Sequence, residues 1–366
     1  MSLSQWPHGA YRAAAVRKIK EEKTLERFAL PDPRFLPLGR HDPRETAACL
    51  WWSGAGIRVK IDCTCMEAEI TSTASGHAAW AGVLVDGAPV ARFPLLKGTH
   101  RYPILLGMEK GFSHEVSIIR DTQASYDEEG PIVLHAVYTD GEPELPRERP
   151  LLIEFLGDSL TVGEGCLGPE SAMEWRQAWI SHMPAFPSLT AEALNAEKRV
   201  IALGGWGAAR SWDNQADSHI GRIYDRLCAV IPGGDVPVDF EERPADAVVI
   251  NLGTNDSTAL QSMEASEQPL ARAELKHRAV ELMEAARAHN PKAFILWAYG
   301  LCGRQVEDIL RSAVEDRRAA GDERVDYLSL SPAITNGSRM HPSREAHRTA
   351  AKEISARLRK ALSLSE

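Results

Sequence analysis

The chain has 366 residues, a length typical of two domains, and its 44% hydrophobic and 25% charged residues are typical of a globular protein. Its net charge of −9 argues against nucleic-acid partners, which need clustered cations, and its apolar stretches are too short to span a membrane. The first residues lack the apolar core of a secretory signal, and the six cysteines form no CxxC pair. We therefore expect a cytoplasmic protein without a disulfide scaffold or a zinc site.

The amino-terminal part divides into two segments. Residues 1–45 show no clear pattern and are treated as an extension of uncertain structure. From Gly56 to Thr139, apolar and polar residues alternate with a period of two, which predicts strands with one buried face. Turn signals such as Asp86-Gly87 separate these strands. The pattern predicts an antiparallel β-sandwich, or jelly roll, over residues 46–140.

A charged, proline-rich segment over residues 141–150 is interpreted as a linker. Beyond it, apolar runs alternate with helical stretches, which predicts an α/β domain over residues 151–366 with a doubly wound, parallel, five-stranded sheet. The predicted strands are Leu151–Leu156, Arg199–Leu203, Ala247–Leu252, Ala293–Tyr299 and Val325–Leu330. Ligand sites in such sheets lie beyond the carboxyl ends of the strands.

Four of these strand ends carry residues suited to catalysis. Ser159 follows the first strand at a helix start, where helix amides stabilise negative charge. A glycine-rich turn over residues 204–207 follows the second strand, and Asn255 after the third offers an amide donor for an oxyanion. His341 follows the fifth strand, directly before Pro342. Each motif alone is more often a turn, a helix cap or a surface residue, but their shared placement indicates one catalytic site.

These four blocks resemble those of the SGNH, or GDSL-type, hydrolase superfamily, and the resemblance covers about residues 151–366. It implies a flavodoxin-like fold with Ser159 as the nucleophile and His341 as the general base. It also implies an oxyanion hole formed by the Ser159 amide, the Gly207 amide and the Asn255 side chain. The implied reaction, ester hydrolysis through an acyl-serine, requires no metal or organic cofactor.

The sandwich half narrows the resemblance. The segment from Trp52 to Val59, followed by Val85-Asp-Gly87, is similar to the jelly-roll domain of carbohydrate esterase family 2, which precedes an SGNH domain. The implied function is removal of an acyl group, above all acetyl, from a carbohydrate or a similar small polar substrate. An acyltransferase using the same serine and histidine is the first alternative, and a non-catalytic carbohydrate-binding protein is the second. The oligomeric state is left open.

Three positions near the motifs need separate predictions. Ser338 occupies the place of the Asp that the superfamily usually has three residues before its histidine, so we expect a backbone carbonyl to orient His341 in a Ser–His dyad. Asp158 is expected to accept hydrogen bonds from loop amides rather than to transfer protons. Trp206, inside the glycine turn, either stacks on a sugar ring or packs in the core.

Overall fold

The computed structural model describes residues 24–240, 243–333 and 336–364. Its amino-terminal domain consists of two antiparallel sheets that enclose one apolar core, as predicted. The strand order is β1-β10-β5-β8 in one sheet, where β3 also pairs with β10, and β2-β4-β9-β6-β7 in the other. The strands are β1 Glu26–Ala29, β2 Leu36–Leu38, β3 Ala48–Leu50, β4 Gly56–Ile61, β5 Cys65–Ser72, β6 Trp80–Val85, β7 Ala88–Pro94, β8 Gly98–Leu106, β9 His114–Arg120 and β10 Ile132–Thr139.

The sandwich includes more of the chain than the alternating pattern suggests. β1 and β2 lie within residues 1–45, the extension whose structure the sequence does not predict; residues 1–23 lie outside the described residues. The predicted linker is not a free connector either, because the backbones of Lys60 and Glu144 exchange hydrogen bonds of 3.0 and 2.8 Å. This pairing packs the linker against β4.

The carboxy-terminal domain has the predicted α/β architecture. All five strands of its sheet are parallel, in the order β12-β11-β13-β14-β15, and separate apolar clusters cover the two faces of the sheet. The strands are β11 Leu151–Gly157, β12 Ala196–Ala202, β13 Ala247–Asn251, β14 Phe294–Tyr299 and β15 Val325–Ser329. The helices are α1 Ser159–Val162, α2 Phe186–Ala193, α3 Thr254–Ser262, α4 Gln268–His289, α5 Glu307–Ala319 and α6 Arg344–Ala361.

The two domains meet through buried polar contacts. Trp52 packs in a core cluster of the α/β domain, and its indole N–H donates a 2.6 Å hydrogen bond to the Leu227 carbonyl. Asp121, at the end of β9, accepts hydrogen bonds from the Ser181 hydroxyl and the Met183 amide. These contacts fix the segment after β9 beside the carboxyl ends of the parallel strands. No helix in the described ranges has both the length and the apolarity to cross a membrane.

Candidate active site

Ser159 lies on a tight strand-to-helix turn between β11 and α1. Asp158 caps the helix by accepting a 3.0 Å hydrogen bond from the Leu160 amide, and Gly163 ends it in the left-handed conformation. A side chain at Gly157 would collide with Thr161, so the turn requires glycine there. The Ser159 N–H, at the first helical position, donates to no acceptor in the described part of the chain, which leaves it available to an anion.

The structure brings Ser159 and His341 together from 182 positions apart in the chain. The Ser159 Oγ lies 3.0 Å from the His341 Nε2, and the His341 Nδ1 lies 2.9 Å from the Arg339 carbonyl oxygen. Because a carbonyl only accepts hydrogen bonds, Nδ1 carries the proton and Nε2 is the acceptor for the serine hydroxyl. The backbone carbonyl of Arg339 is therefore the group that lies within hydrogen-bond distance of Nδ1, and the Ser–His dyad stays a prediction.

An unusual backbone conformation places that carbonyl against the ring. Arg339 and Met340 both have positive φ angles, of 56° and 59°, which non-glycine residues adopt rarely. Ser338 is buried, and its hydroxyl donates a 3.0 Å hydrogen bond to the Leu167 carbonyl instead of contacting His341. The conformation of the loop before the histidine therefore directs the Arg339 carbonyl, and not the Ser338 side chain, to the His341 ring.

Asn255 lies near the nucleophile, but its amide is engaged in this conformation. Its Nδ2 donates to the Trp206 carbonyl at 2.7 Å and to the Asp158 Oδ2 at 3.2 Å. The N–H of Gly207 is directed to the Ser218 carbonyl at 3.5 Å. In a trans peptide the N–H is opposite the C=O, so the Gly207 N–H points away from Asn255. The prediction that Gly207 presents a ready oxyanion donor is not met in this conformation.

Gly205, in the same turn, faces the cleft in place of Gly207. It lines the cleft, has a φ of 86°, and its N–H donates to no acceptor among the described residues. No pattern in the sequence distinguishes the two glycines, because the direction of each N–H depends on the rotation of its own peptide plane.

Trp206 packs in the core and does not line the cleft. Its side chain is 8% exposed, and its indole N–H donates a 2.7 Å hydrogen bond to the Tyr126 hydroxyl of the sandwich domain. The prediction of a substrate contact at Trp206 is therefore wrong, and the core interpretation holds. Trp175 and Trp212 line the cleft instead, and Trp212 is 58% exposed.

Two buried carboxylates support the turns of the site. The pKa of Asp158 is raised to about 7, chiefly because the side chain is completely buried and in part because of the nearby charges of Asp256 and Glu164. The Asp256 carboxylate accepts hydrogen bonds of 2.8 to 3.1 Å from three successive amides after the glycine turn, those of residues 208–210. Asp158 thus accepts hydrogen bonds from the Leu160 amide in the first turn of α1 and from the Asn255 side chain.

The cleft, of about 460 Å³, contains polar side chains that the sequence did not single out. Glu164 forms a 2.7 Å ion pair with the Arg339 guanidinium, and its other oxygen lies 3.8 Å from the His341 Nε2. Gln123 comes from the sandwich domain, and its Oε1 accepts a 2.9 Å hydrogen bond from the Gly204 amide. The placement of Glu164 directly after α1 was a usable signal, whereas nothing in the sequence links Gln123 to the site. The described residues contain no cluster of three or more His, Cys, Asp or Glu side chains arranged to hold a metal ion.

Comparisons with known proteins agree with this architecture. Residues 155–361 match the GDSL-like Lipase/Acylhydrolase family, and residues 38–146 match the Carbohydrate esterase 2 N-terminal family. The chain belongs to the GDSL-like lipase/acylhydrolase family. With its carbohydrate esterase 2 N-terminal domain, this family member is a carboxylic ester hydrolase of the SGNH type.

Similar proteins include two curated esterases. The cellulase/esterase CelE of Acetivibrio thermocellus is 27% identical over 327 residues, which cover 85% of this chain but 37% of that protein. An acetylxylan esterase / glucomannan deacetylase of Cellvibrio japonicus is 24% identical over 339 residues, which cover 91% of this chain and 90% of that protein.

Solved structures show the same two-domain fold. The acetyl xylan esterase Est2A of Butyrivibrio proteoclasticus is 26% identical with a TM-score of 0.89, covering 94% of this chain and all of that one. The salicylyl-acyltransferase SsfX3 from a tetracycline biosynthetic pathway shares the fold at 14% identity and a TM-score of 0.62, covering 91% of this chain and 98% of that one.

Proposed function

We propose that this chain is a serine esterase that removes acetyl groups from the hydroxyls of a carbohydrate. The observation that carries the proposal is the 3.0 Å contact between the Ser159 Oγ and the His341 Nε2, with Nδ1 held by a carbonyl. Acyl transfer through serine requires a nucleophile hydrogen-bonded to a base, and that base hydrogen-bonded in turn to an orienting group.

The reaction follows from these positions. His341 Nε2 takes the hydroxyl proton as the Ser159 Oγ attacks the ester carbonyl carbon. The tetrahedral intermediate collapses when Nε2 returns that proton to the leaving sugar oxygen, which breaks the ester bond and leaves an acetyl-serine. Water then attacks the acetyl carbonyl carbon as His341 Nε2 takes its proton, and that proton passes to the Ser159 Oγ as the Oγ–acetyl bond breaks and acetate is released. The Arg339 carbonyl holds the imidazole in the tautomer that each of these steps needs.

The oxyanion receives its hydrogen bonds from backbone and side-chain donors at the same edge. In the present conformation the available donors are the N–H groups of Ser159 and Gly205, which donate to no acceptor among the described residues, whereas the Nδ2 of Asn255 is held by the Trp206 carbonyl and Asp158. Rotation of the Trp206–Gly207 peptide would remove the carbonyl that now occupies Asn255 and turn the Gly207 N–H towards the cleft. We infer that this rotation accompanies substrate binding and completes the donor set.

The cleft walls favour a sugar as the alcohol. The exposed indole of Trp212 and the partly buried ring of Trp175 both line the cleft, and flat aromatic surfaces suit the apolar faces of sugar rings. The curated relative from Cellvibrio japonicus is named for acetylxylan and glucomannan, so acetylated plant polysaccharides and their fragments are the proposed substrate class. None of the six cysteines, all of which lie in the described ranges, forms a disulfide. We propose a cytoplasmic location, where fragments of such polysaccharides would be the substrate.

Acetate release from acetylated xylo-oligosaccharides tests the proposal. We expect turnover by the wild type and its loss in Ser159→Ala, whereas Ser312→Ala, on α5 outside the cleft, serves as the matched control. Turnover by Ser159→Ala at the wild-type rate would contradict the assignment. If a fluorophosphonate failed to label Ser159 in the wild type and in Ser312→Ala, the result would favour the non-catalytic alternative. Acetylated acceptor sugars formed in preference to free acetate would favour the acyltransferase.

A further inference from the structure

Three polar side chains near His341 have no role in the proposed reaction. Glu164, Arg339 and Gln123 all line the cleft, and Glu164 and Gln123 lie on either side of Gly204. The Glu164 side chain is largely buried, and one of its oxygens, Oε1, is occupied by the Arg339 guanidinium at 2.7 Å. The other oxygen, Oε2, accepts no hydrogen bond from the described residues. A carboxylate oxygen that lacks a protein donor, on a residue that lines the cleft, is free to accept a hydrogen bond from a bound substrate.

The position of that oxygen identifies which part of the substrate it faces. Oε2 lies 3.8 Å from the His341 Nε2. In the reaction, Nε2 must come within hydrogen-bond distance of the leaving oxygen to return its proton. The leaving oxygen and Oε2 therefore share one region of the cleft. A hydroxyl on the carbon next to the esterified one would lie beside Oε2 and could donate to it.

The neighbouring groups hold Glu164 in this orientation and add donors. The backbone N–H of Glu164 donates a 2.9 Å hydrogen bond to the Ser159 carbonyl, which fixes the residue directly behind the nucleophile. Arg339 holds Oε1, so Oε2 is left to face the cleft. Gln123 directs its Oε1 to the Gly204 amide, and its Nε2 donates to no acceptor in the described ranges. The site thus offers one charged acceptor and free amide donors to a substrate rich in hydroxyls.

We propose that Glu164 is a substrate-positioning residue that accepts a hydrogen bond from the hydroxyl adjacent to the acetylated one. The preferred substrates are then monoacetates of vicinal diols, the arrangement found at neighbouring positions of a pyranose ring. The inference rests on the proposed esterase function and narrows its substrate class. Arg339 serves it twice, since its carbonyl orients His341 and its guanidinium orients Glu164.

Two small acetates that differ in one O–H test this role. For 2-hydroxyethyl acetate relative to 2-methoxyethyl acetate, we expect the wild type to show a kcat/KM about 10-fold or more higher, because hydrogen bonds to charged groups are strong. In Glu164→Gln, which keeps the size but removes the charge, we expect that preference to fall below about threefold. The matched control Glu170→Gln, on the exposed part of the following loop, should keep the wild-type preference.

The outcomes separate this inference from the function it rests on. A wild type that hydrolyses both acetates with equal kcat/KM would overturn the role of Glu164 without needing any variant. A Glu164→Gln variant that keeps the full preference for 2-hydroxyethyl acetate would also overturn the role of Glu164. An equal loss of kcat on both acetates in this variant would overturn it as well, because that loss would indicate a charge effect on His341. A wild type that hydrolyses neither acetate would contradict the proposed esterase function itself.

Discussion

At the scale of single residues, the site depends on how its few polar groups divide their hydrogen bonds. Asn255 donates both to the Trp206 carbonyl and to Asp158, so it holds the glycine turn against the nucleophile turn. The same Nδ2 is the side-chain donor proposed for the oxyanion. Asn255 therefore connects the geometry of the resting site to the charge that develops during the reaction.

Replacement of Asn255 by Ala is expected to lower kcat for 4-nitrophenyl acetate by about 10²–10³-fold, the usual effect of losing one oxyanion donor. KM should change much less, because the donor acts mainly in the transition state. Steady-state kinetics check both values, with Asn214→Ala, in the exposed loop after the glycine turn, as the control. An Asn255→Ala enzyme with wild-type kcat would contradict the role.

Asp158 gives a prediction about pH. Its pKa is raised from 3.8 to about 7 by burial, so between these values the folded protein binds one proton more than the unfolded chain. Stability from this group is then lost as the pH rises from 4 to 7, by at most about 4 kcal/mol. Compared with Asp158→Asn, the wild type should lose more unfolding free energy across this window in urea titrations. Parallel curves for the two proteins would contradict the raised pKa.

At the scale of elements, the loop over residues 336–341 replaces the usual carboxylate with a backbone group. The positive φ angles of Arg339 and Met340 turn the Arg339 carbonyl to the ring, and the hydroxyl of Ser338 anchors the loop to the Leu167 carbonyl. Ser338 in place of the usual Asp is the reason that a carbonyl was predicted beside His341, and the Arg339 carbonyl lies 2.9 Å from Nδ1. The two left-handed residues were not predictable, because neither Arg nor Met favours that conformation.

Replacement of Ser338 by Asp, which restores the residue common in the superfamily, should therefore not increase activity. The new carboxylate would be buried against the Leu167 carbonyl, and the His341 Nδ1 already has its acceptor. We expect a loss of about 1–3 kcal/mol in the free energy of unfolding and no rise in kcat. Chemical denaturation and esterase kinetics check this. An increase in kcat without a loss of stability would contradict this prediction and would show that a carboxylate supports His341 better than the Arg339 carbonyl does.

The same scale shows which elements the sequence could predict. The five parallel strands were found within a few residues of their bounds, because strands covered on both faces form continuous apolar runs. β1 and β2 were missed because they are short and depend on pairing with distant partners, β10 and β4. The sequence did not decide whether Trp206 is buried or exposed, because its hydrogen-bond partner, Tyr126, comes from the other domain.

At the scale of the whole molecule, the domains behave as one unit because charged groups are buried between them. Arg40 of the sandwich domain is 1% exposed, and it pairs with the fully buried Glu154 of β11 at 3.5 Å. It also donates hydrogen bonds to the carbonyls of Tyr224 and Arg226. The same docking carries Gln123 into the cleft, so the sandwich domain supplies part of the site and not only its support.

Replacement of Arg40 by Ala should cost about 3–5 kcal/mol of unfolding free energy, because it leaves the Glu154 carboxylate buried without its cation. Adding Glu154→Gln to that variant should restore part of the loss, since no unpaired charge remains. Arg27→Ala, which removes an exposed partner of Glu69, should cost less than about 1 kcal/mol. Equal effects of Arg27→Ala and Arg40→Ala in urea unfolding would contradict the importance of the interdomain pair.

The most direct test of the catalytic assignment is the identity of the acylated residue. The enzyme would be mixed with an acetylated xylo-oligosaccharide, quenched in acid within the first turnovers, and its peptides analysed by mass spectrometry. We predict one acetyl group on Ser159 in the wild type and none on the corresponding peptide of Ser159→Ala. An acetyl group on another residue, or acetate released by Ser159→Ala as fast as by the wild type, would contradict the account.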